Sequence, residues 1–217
     1  AEKDAPARRS MARLTPASAQ RLRLAFAGTP DGFRISSADR LRVNQAAGGD
    51  RAATYGELAP TGVASLAHAL KLGEHSLFYD LGSGRGSVVL HVALGLDPPV
   101  RRAVGIELSR ERHEIAQRAK LRLGAAAHRA RFSCDDLQTA CFADATEVYV
   151  ANLVFPPSLD AVLSARLAQC DGLRRVATLK PLEAVPPRMT LACRLRMPFT
   201  WAERCGVWVY ERKRVWR

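Results

Sequence analysis

Three glycines at alternate positions, Gly82, Gly84 and Gly86, follow an apolar run that ends on Asp80, and a second apolar run, Val88–Leu94, comes directly after them. Glycine takes backbone angles that a side chain forbids and leaves bare backbone for a ligand to lie on. The free N–H groups and dipole at the start of a helix favour electron-rich ligand groups. The stretch from Phe78 through Asp80, Leu81, Gly82, Ser83, Gly84 and Gly86 to Ser87 therefore predicts a buried strand, a tight turn and a helix start. Such a unit holds a nucleotide-like cofactor at the carboxyl end of the first strand of an open parallel sheet. The next strand candidate, Ala103–Ile106, ends on Glu107. A carboxylate there can accept hydrogen bonds from both ribose hydroxyls and would repel a 2′-phosphate.

The spacing narrows the cofactor. Nicotinamide sites carry G-x-G-x-x-G, whereas this chain has G-x-G-x-G with an acid two residues before the first glycine. That pattern resembles motif I of the S-adenosylmethionine (SAM) methyltransferases. Arg131–Cys134 reads as a third strand followed by Asp135 and Asp136, where SAM enzymes often hold the adenine amino group.

Elements that position these residues can be read along the chain. Residues 1–20 are polar and rich in Ala and Arg, and are expected to form a flexible basic arm. Residues 21–52 form a small extension, in which short helices or a strand pair both fit, with a loop over Gln45–Asp50. The catalytic domain is expected over 53–217. Pro60 and Thr61 open a helix whose Val63, Leu66, Ala67 and Leu70 share a face, closed by Gly73. Ser109 is a candidate N-cap for a helix with Ile115, Ala116, Ala119 and Leu123 on its buried side and Arg110, Arg112, Arg118 and Arg122 elsewhere. Glu147–Ala151 predicts a fourth strand ending at Asn152, and Ser158 caps the helix after it. Arg175–Leu179, Thr190–Met197 and Val207–Arg212 predict the last strands, the final one antiparallel to its neighbour. Strands alternating with helices give an α/β class, here a Rossmann-like (class I) methyltransferase fold with a mostly parallel sheet.

Composition bounds the partners. The net charge is +12, unevenly spread, since residues 132–173 carry six acids against the single Arg166 while arginine is dense elsewhere. A basic surface favours polyanions through counterion release. No apolar run of eighteen residues exists, so no membrane partner is expected, and the start of the chain has no apolar segment of the signal-peptide kind. The five cysteines are scattered with no C-x-x-C, which points to a reducing compartment and no metal site.

Four segments, taken in order, carry a closer resemblance: Tyr55–Glu57, Phe78–Ser87, Val150–Pro156 and Val176–Pro181, with Trp201 and Val207–Tyr210 as a fifth. Over about residues 53–212 the chain resembles the non-SET histone lysine methyltransferases of the disruptor-of-telomeric-silencing family. The resemblance implies that SAM is the cofactor and that the substrate is a lysine in the core of histone H3 on nucleosomes, in the nucleus, with DNA phosphates meeting the basic surface. It implies that Tyr55, Gly56, Glu57 and Leu58 close over the methionine end of SAM, that Phe78–Ser87 cradle it and that Glu107 takes the ribose. Asp136 and Leu137 follow as the acid and apolar residue of the adenine site, or Asp135 after a one-residue shift. Asn152 is placed beside the methyl-transfer centre, Phe155 in the wall of the lysine channel, and Trp208 where the family has a tyrosine near that channel. The sequence departs from the family at Ala151, where a second asparagine is frequent.

Methyl transfer from a sulfonium is an in-line displacement in which the protein mainly orients and desolvates. The amine must be neutral, against a reference lysine pKa near ~10.4, and an apolar channel lowers that value by penalising the charged form. No strong base is then required. Tyr55, Asn152, Phe155 and Trp208 are the candidate catalytic residues, with the Asn152 oxygen expected to accept from the amine, and none of the histidines is assigned to the chemistry. A nucleic-acid amino-methyltransferase is the first rival. Those enzymes place Pro-Pro and an aromatic directly after the Asn or Asp, whereas here Phe155 precedes Pro156 and Pro157. A small-molecule methyltransferase has no need of the basic excess. Intact Asp80, Glu107 and Asn152 count against an inactive chromatin-binding domain.

Overall fold

In the computed structural model, which describes residues 15–213, seven strands form one sheet. They are β1 (Leu77–Leu81), β2 (Arg102–Glu107), β3 (Ala130–Cys134), β4 (Glu147–Val150), β5 (Arg175–Thr178), β6 (Met189–Phe199) and β7 (Ala202–Arg212). Their spatial order is β3-β2-β1-β4-β5-β7-β6. The first five are parallel, and β7 runs antiparallel to both β5 and β6. This is the Rossmann-like order expected of the sequence, with its winding reversed between β1 and β4, where such sheets bind ligands.

Strand β1 is buried along nearly its whole length because helices cover both faces of the sheet. Phe78 enters the core with α3 (Pro60–Ala69) and α4 (Ser87–Gly95). Tyr79 and Leu81 point the other way, into the core with α6 (Pro157–Ala168). The alternation follows from the two-residue period of a strand and puts Asp80 on the α3–α4 side.

The N-terminal region differs from expectation. Residues 1–14 of the expected arm lie outside the described residues, but α1 (Pro16–Phe26) begins within it. Thr15 caps that helix through the Ser18 N–H at 3.1 Å, and Leu22 and Ala25 are buried in the core. Arg122 on α5 (Arg110–Leu123) donates to the carbonyls of Ala25 and Ala27 at 3.0 and 2.7 Å. A second helix, α2 (Ser37–Ala47), ends at Gly48, whose φ of 71° closes it in the left-handed region. The extension is thus helical, with no strand pair.

Helix α2 is latched to the start of α5 by polar groups. Asp39 accepts from the Ser109 hydroxyl at 2.5 Å and the Glu111 N–H at 3.3 Å, and the Glu111 carboxylate accepts from the Ser36 N–H at 3.0 Å. Burial opposes ionisation of Asp39, but bonds from Ser109, Arg42 and Glu111 overcome it and hold its carboxyl below the ordinary value.

Two helix ends are corrected. Helix α3 stops at Ala69, and Lys71 rather than Gly73 takes the left-handed turn, with φ 52°. Helix α6 starts at Pro157 with Pro156 as its cap residue and no side-chain cap bond, so Ser158 is not the cap. Proline's fixed φ suits the first helical position and its missing N–H would be unpaired there in any case.

Candidate active site

A cavity of about 310 Å³ opens at the carboxyl ends of the parallel strands. On its β2–β3 side it is lined by Ile106, Glu107, Leu108, Asp135, Asp136 and Leu137. Ala151, Leu153, Val154, Phe155, Leu159 and Leu179 line its β4–β5 side, with Trp201 from the tip of the β6–β7 hairpin. Tyr55, Gly56 and Gly82 lie between these sides, and Val43, Ala47, Arg51 and Ala52 close the cavity from the N-terminal extension.

Glu107 ends β2 and is 6% exposed. One of its oxygens accepts from the Gly84 N–H and the other from the Ser109 N–H, each at 2.7 Å. Burial raises its carboxyl pKa, against the lowering influence of Arg112 and the two N–H donors. A carboxylate has about four acceptor sites, so Glu107 keeps capacity for hydroxyls in the cavity. The glycine turn differs in one respect from the sequence reading. Its N–H groups are spent inside the protein: those of Gly82 and Ser83 reach the Ile106 carbonyl at 2.8 and 3.0 Å, and that of Arg85 reaches the Tyr55 hydroxyl at 3.2 Å. What the turn offers a ligand is bare backbone. Gly82, with φ +85°, faces open space, since a Cβ there would meet nothing nearer than Phe155 at 3.8 Å.

Tyr55 lies over the turn, and a Cβ on Gly84 would stand 2.2 Å from its ring. Its hydroxyl donates to Glu57, which forms a bidentate pair with Arg85 at 2.7 and 2.8 Å. The Arg112 guanidinium packs 4.4 Å over the Tyr55 ring and donates to the carbonyls of Gly32 and Ala53 at 3.0 and 2.7 Å. Burial, then the Glu57 charge, raises the Tyr55 pKa well above its usual value. Asp80 is 2% exposed and its Oδ1 has no partner. Burial, with the charges of Glu107 and Glu57, pushes its carboxyl well above the usual range. Asp80 lies behind the residues that line the cavity.

Several expected site residues are elsewhere. Phe78, Leu81 and Leu58 are core residues, Leu58 also bridging to Phe199. The Glu57 side chain faces Arg85, and Ser87 lies against His91 inside α4. Ser83 turns toward Gly105, where a Cβ would come 2.5 Å from its hydroxyl, and Gly86 is the α4 cap residue tight against Phe132. Trp208 packs on the α6 side of the sheet under Arg194, 4.6 Å from the ring, and does not line the cavity. The aromatic of the hairpin that does is Trp201, 44% exposed. Asn152 is fully buried and faces away from the cavity. Its Nδ2 donates to Asp160 at 2.9 Å, and its Oδ1 accepts from the N–H groups of Leu179 and Lys180 at 2.9 and 3.3 Å. The cavity-facing residue after β4 is Ala151. The sequence placed Arg112 off the apolar side of its helix and assigned nothing to Val43, Ala47 or Arg51. Only the docking of α2 against α5 brings these residues to the site.

The Histone methylation protein DOT1 family model matches residues 33–194. The chain belongs to the DOT1 family. No curated protein is similar enough in sequence to match. Among solved structures, an RNA methyltransferase from Salinibacter ruber in complex with S-adenosyl-L-homocysteine shares 21% identity over 74% of this chain and 96% of its own, with a TM-score of 0.53. Magnesium protoporphyrin IX methyltransferase from Synechocystis PCC 6803, with bound SAM, shares 14% identity over 91% and 92% at a TM-score of 0.55. TrmN from Thermus thermophilus shares 22% over 71% and 49% at 0.52. At these identities the likeness shows the fold. This DOT1-family chain is a SAM-dependent methyltransferase, and no helix among its described residues is long and apolar enough to cross a membrane.

Proposed function

We propose that this DOT1-family protein is a protein-lysine N-methyltransferase that acts on a lysine in the core of nucleosomal histone H3, in the nucleus. The observation that carries the reading is the β4–β5 side of the cavity, walled by Leu153, Phe155, Leu159, Leu179 and Trp201 with no ionisable side chain on it. The family match supports the histone substrate, and the net charge of +12 supports docking against DNA phosphates.

Glu107 and Asp135 or Asp136 would hold the ribose and adenine and Gly82 the adjoining backbone face, while Asp80, behind the lining, would favour a cationic group through its charge. SAM supplies a methyl group already activated on a sulfonium. The chain's own residues do the rest. Apolar walls disfavour a charged ammonium and so shift a lysine toward the neutral amine that attacks. Trp201, the aromatic of the hairpin tip that lines the cavity, flanks the alkyl arm. With Ala151 facing the cavity and the Asn152 amide turned inward, the amine is aimed by the shape of the walls rather than by a side-chain acceptor on β4.

Tritiated SAM offered with nucleosomes, free core histones, DNA and RNA tests the reading. Label in histone H3, strongest on nucleosomes and falling steeply between about 50 and 200 mM salt, is expected. Label in nucleic acid and none in histone overturns it.

A further inference from the structure

Among the described residues, one buried polar cluster outside the ligand-facing groups sits directly behind the β4–β5 wall. Asp160, in the first turn of α6, is completely buried. Its Oδ1 accepts from Asn152 at 2.9 Å and its Oδ2 is ion-paired with the Lys180 ammonium. The same ammonium donates to the Phe155 carbonyl at 2.7 Å. The Asn152 oxygen then returns to the chain after β5, accepting from the Leu179 N–H at 2.9 Å. Three chain segments meet here: the turn after β4, the start of α6 and the end of β5.

The cluster is interleaved with the wall. Asn152 stands between Ala151 and Leu153, Asp160 follows Leu159, and Lys180 follows Leu179. In each case the neighbour lines the cavity and the polar residue does not; Asn152 and Asp160 are fully buried, and Lys180 is half-buried against Asp160. The pair joins a fully buried carboxylate to an ammonium whose side chain is 26% exposed, and is weak evidence for stability in itself, because desolvation of Asp160 offsets the attraction. An apolar pair of similar shape would hold α6 to the sheet as well. What the pair adds is direction: the ammonium fixes the Phe155 carbonyl, and with it the backbone that carries the Phe155 ring.

We propose that Asp160 and Lys180 are positioning residues for methyl transfer, acting with Asn152 to lock the Leu153–Phe155 segment in the shape that guides the acceptor. The inference rests on the reading of this side of the cavity as the acceptor side. Methyl transfer depends steeply on alignment, and small misplacements of a positioning group are costly. Neither Asp160 nor Lys180 bonds to Glu107, Asp135 or Asp136, so donor affinity is expected to change little when the pair is removed.

Removing Lys180 alone leaves the buried Asp160 charge unpaired, and is expected to destabilise the fold. The informative variant is therefore the double, Asp160→Asn with Lys180→Met, which removes both charges and keeps an acceptor for the Asn152 amide. Its thermal midpoint is expected near that of the wild type, and SAM affinity by calorimetry within about twofold. Amide hydrogen exchange over residues 153–156 is expected to rise, and kcat to fall about tenfold or more on whichever acceptor the wild type labels. Lys180→Arg, which keeps a charge able to reach both partners, restores part of the rate. Unchanged exchange over 153–156 overturns the proposal, whatever the acceptor proves to be. So does unchanged kcat in a double variant whose exchange has risen. A loss of SAM affinity equal to the loss in kcat also overturns it, in favour of a general structural role. Since exchange needs no substrate, failure of this inference is distinguishable from failure of the histone reading, which the labelling experiment decides alone.

Discussion

On the β2–β3 side of the cavity the polar groups face the open space: Glu107, Asp135 and Asp136 all line it. On the β4–β5 side the polar groups turn their backs to it. Asn152, Asp160 and Lys180 bond to one another and to backbone, and leave Ala151, Leu153, Phe155 and Leu179 on the surface. A ligand rich in hydroxyls and ring nitrogens matches the first side. An alkyl chain whose amine must lose its proton matches the second, because water and charge are kept from it. The difference teaches that the same position, the residue at the end of a parallel strand, can serve opposite ends. It depends on whether the polar side chain points along the strand end or back into the sheet.

The comparison can be broken most readily at the glycine turn. Gly84 has φ +55° and a Cβ there would clash with Tyr55. Gly84→Ala is expected to cut SAM affinity by about a hundredfold, roughly 3 kcal/mol, through strain at this backbone angle and displacement of Tyr55. Calorimetry at a temperature where the variant stays folded reads the loss, and unchanged affinity would show that the turn does not shape the donor side. Next comes Asn152→Ala. It leaves the Leu179 and Lys180 N–H groups and the Asp160 Oδ1 without a partner, and is expected to cost about 2–4 kcal/mol in urea unfolding. If the asparagine acted on substrate alone, stability would hold while turnover vanished.

Phe155→Ala sharpens the contrast between the sides. It removes part of the acceptor wall, so kcat is expected to fall about tenfold with SAM affinity nearly unchanged, measured by steady-state kinetics beside calorimetry. Equal losses in both would place Phe155 on the donor. The smallest effect concerns Asp80. Its carboxyl is raised in the folded protein, mainly by burial. Between the unfolded value and the raised folded one, the native state holds the proton that the unfolded state has released. Stability therefore falls as pH rises through that window and is regained as pH drops below it. Asp80→Asn is expected to remove this slope and raise the thermal midpoint at neutral pH by a few degrees, about 2–4 °C per kcal/mol relieved. It should also weaken SAM binding. A midpoint that does not move would mean that Asp80 is not strained by its burial.

Much of the donor side was legible because its signals are local. The glycine spacing, Asp80 at the end of one apolar run and Glu107 at the end of the next lie within single strand–turn–helix units, and β1 and β2 end where those residues predict. Asp135, Asp136 and Leu137 follow the third strand in the same way. Trp208 was misplaced because strand alternation fixes which side a residue faces only once its neighbours and register are known. Its partners in the sheet are Thr178 on β5 and Arg194 on β6, and the second pairing sets its ring under the Arg194 guanidinium. Ser158 failed as a cap because Pro156 and Pro157 already supply the geometry that a capping side chain would otherwise select.

By itself, the sequence determined the class of fold, the position of the cofactor turn and the acids that face it, since each depends on residues a few steps apart. Tertiary structure alone decided that the Asn152 amide bonds to Asp160 and to the backbone after β5 instead of lining the cavity. It also decided that Trp201 rather than Trp208 reaches the cavity, and that α2 with Arg112 closes the donor side. Those outcomes depend on which groups meet across the fold, where a polar side chain takes the nearest buried partner and the surface is left to whatever remains.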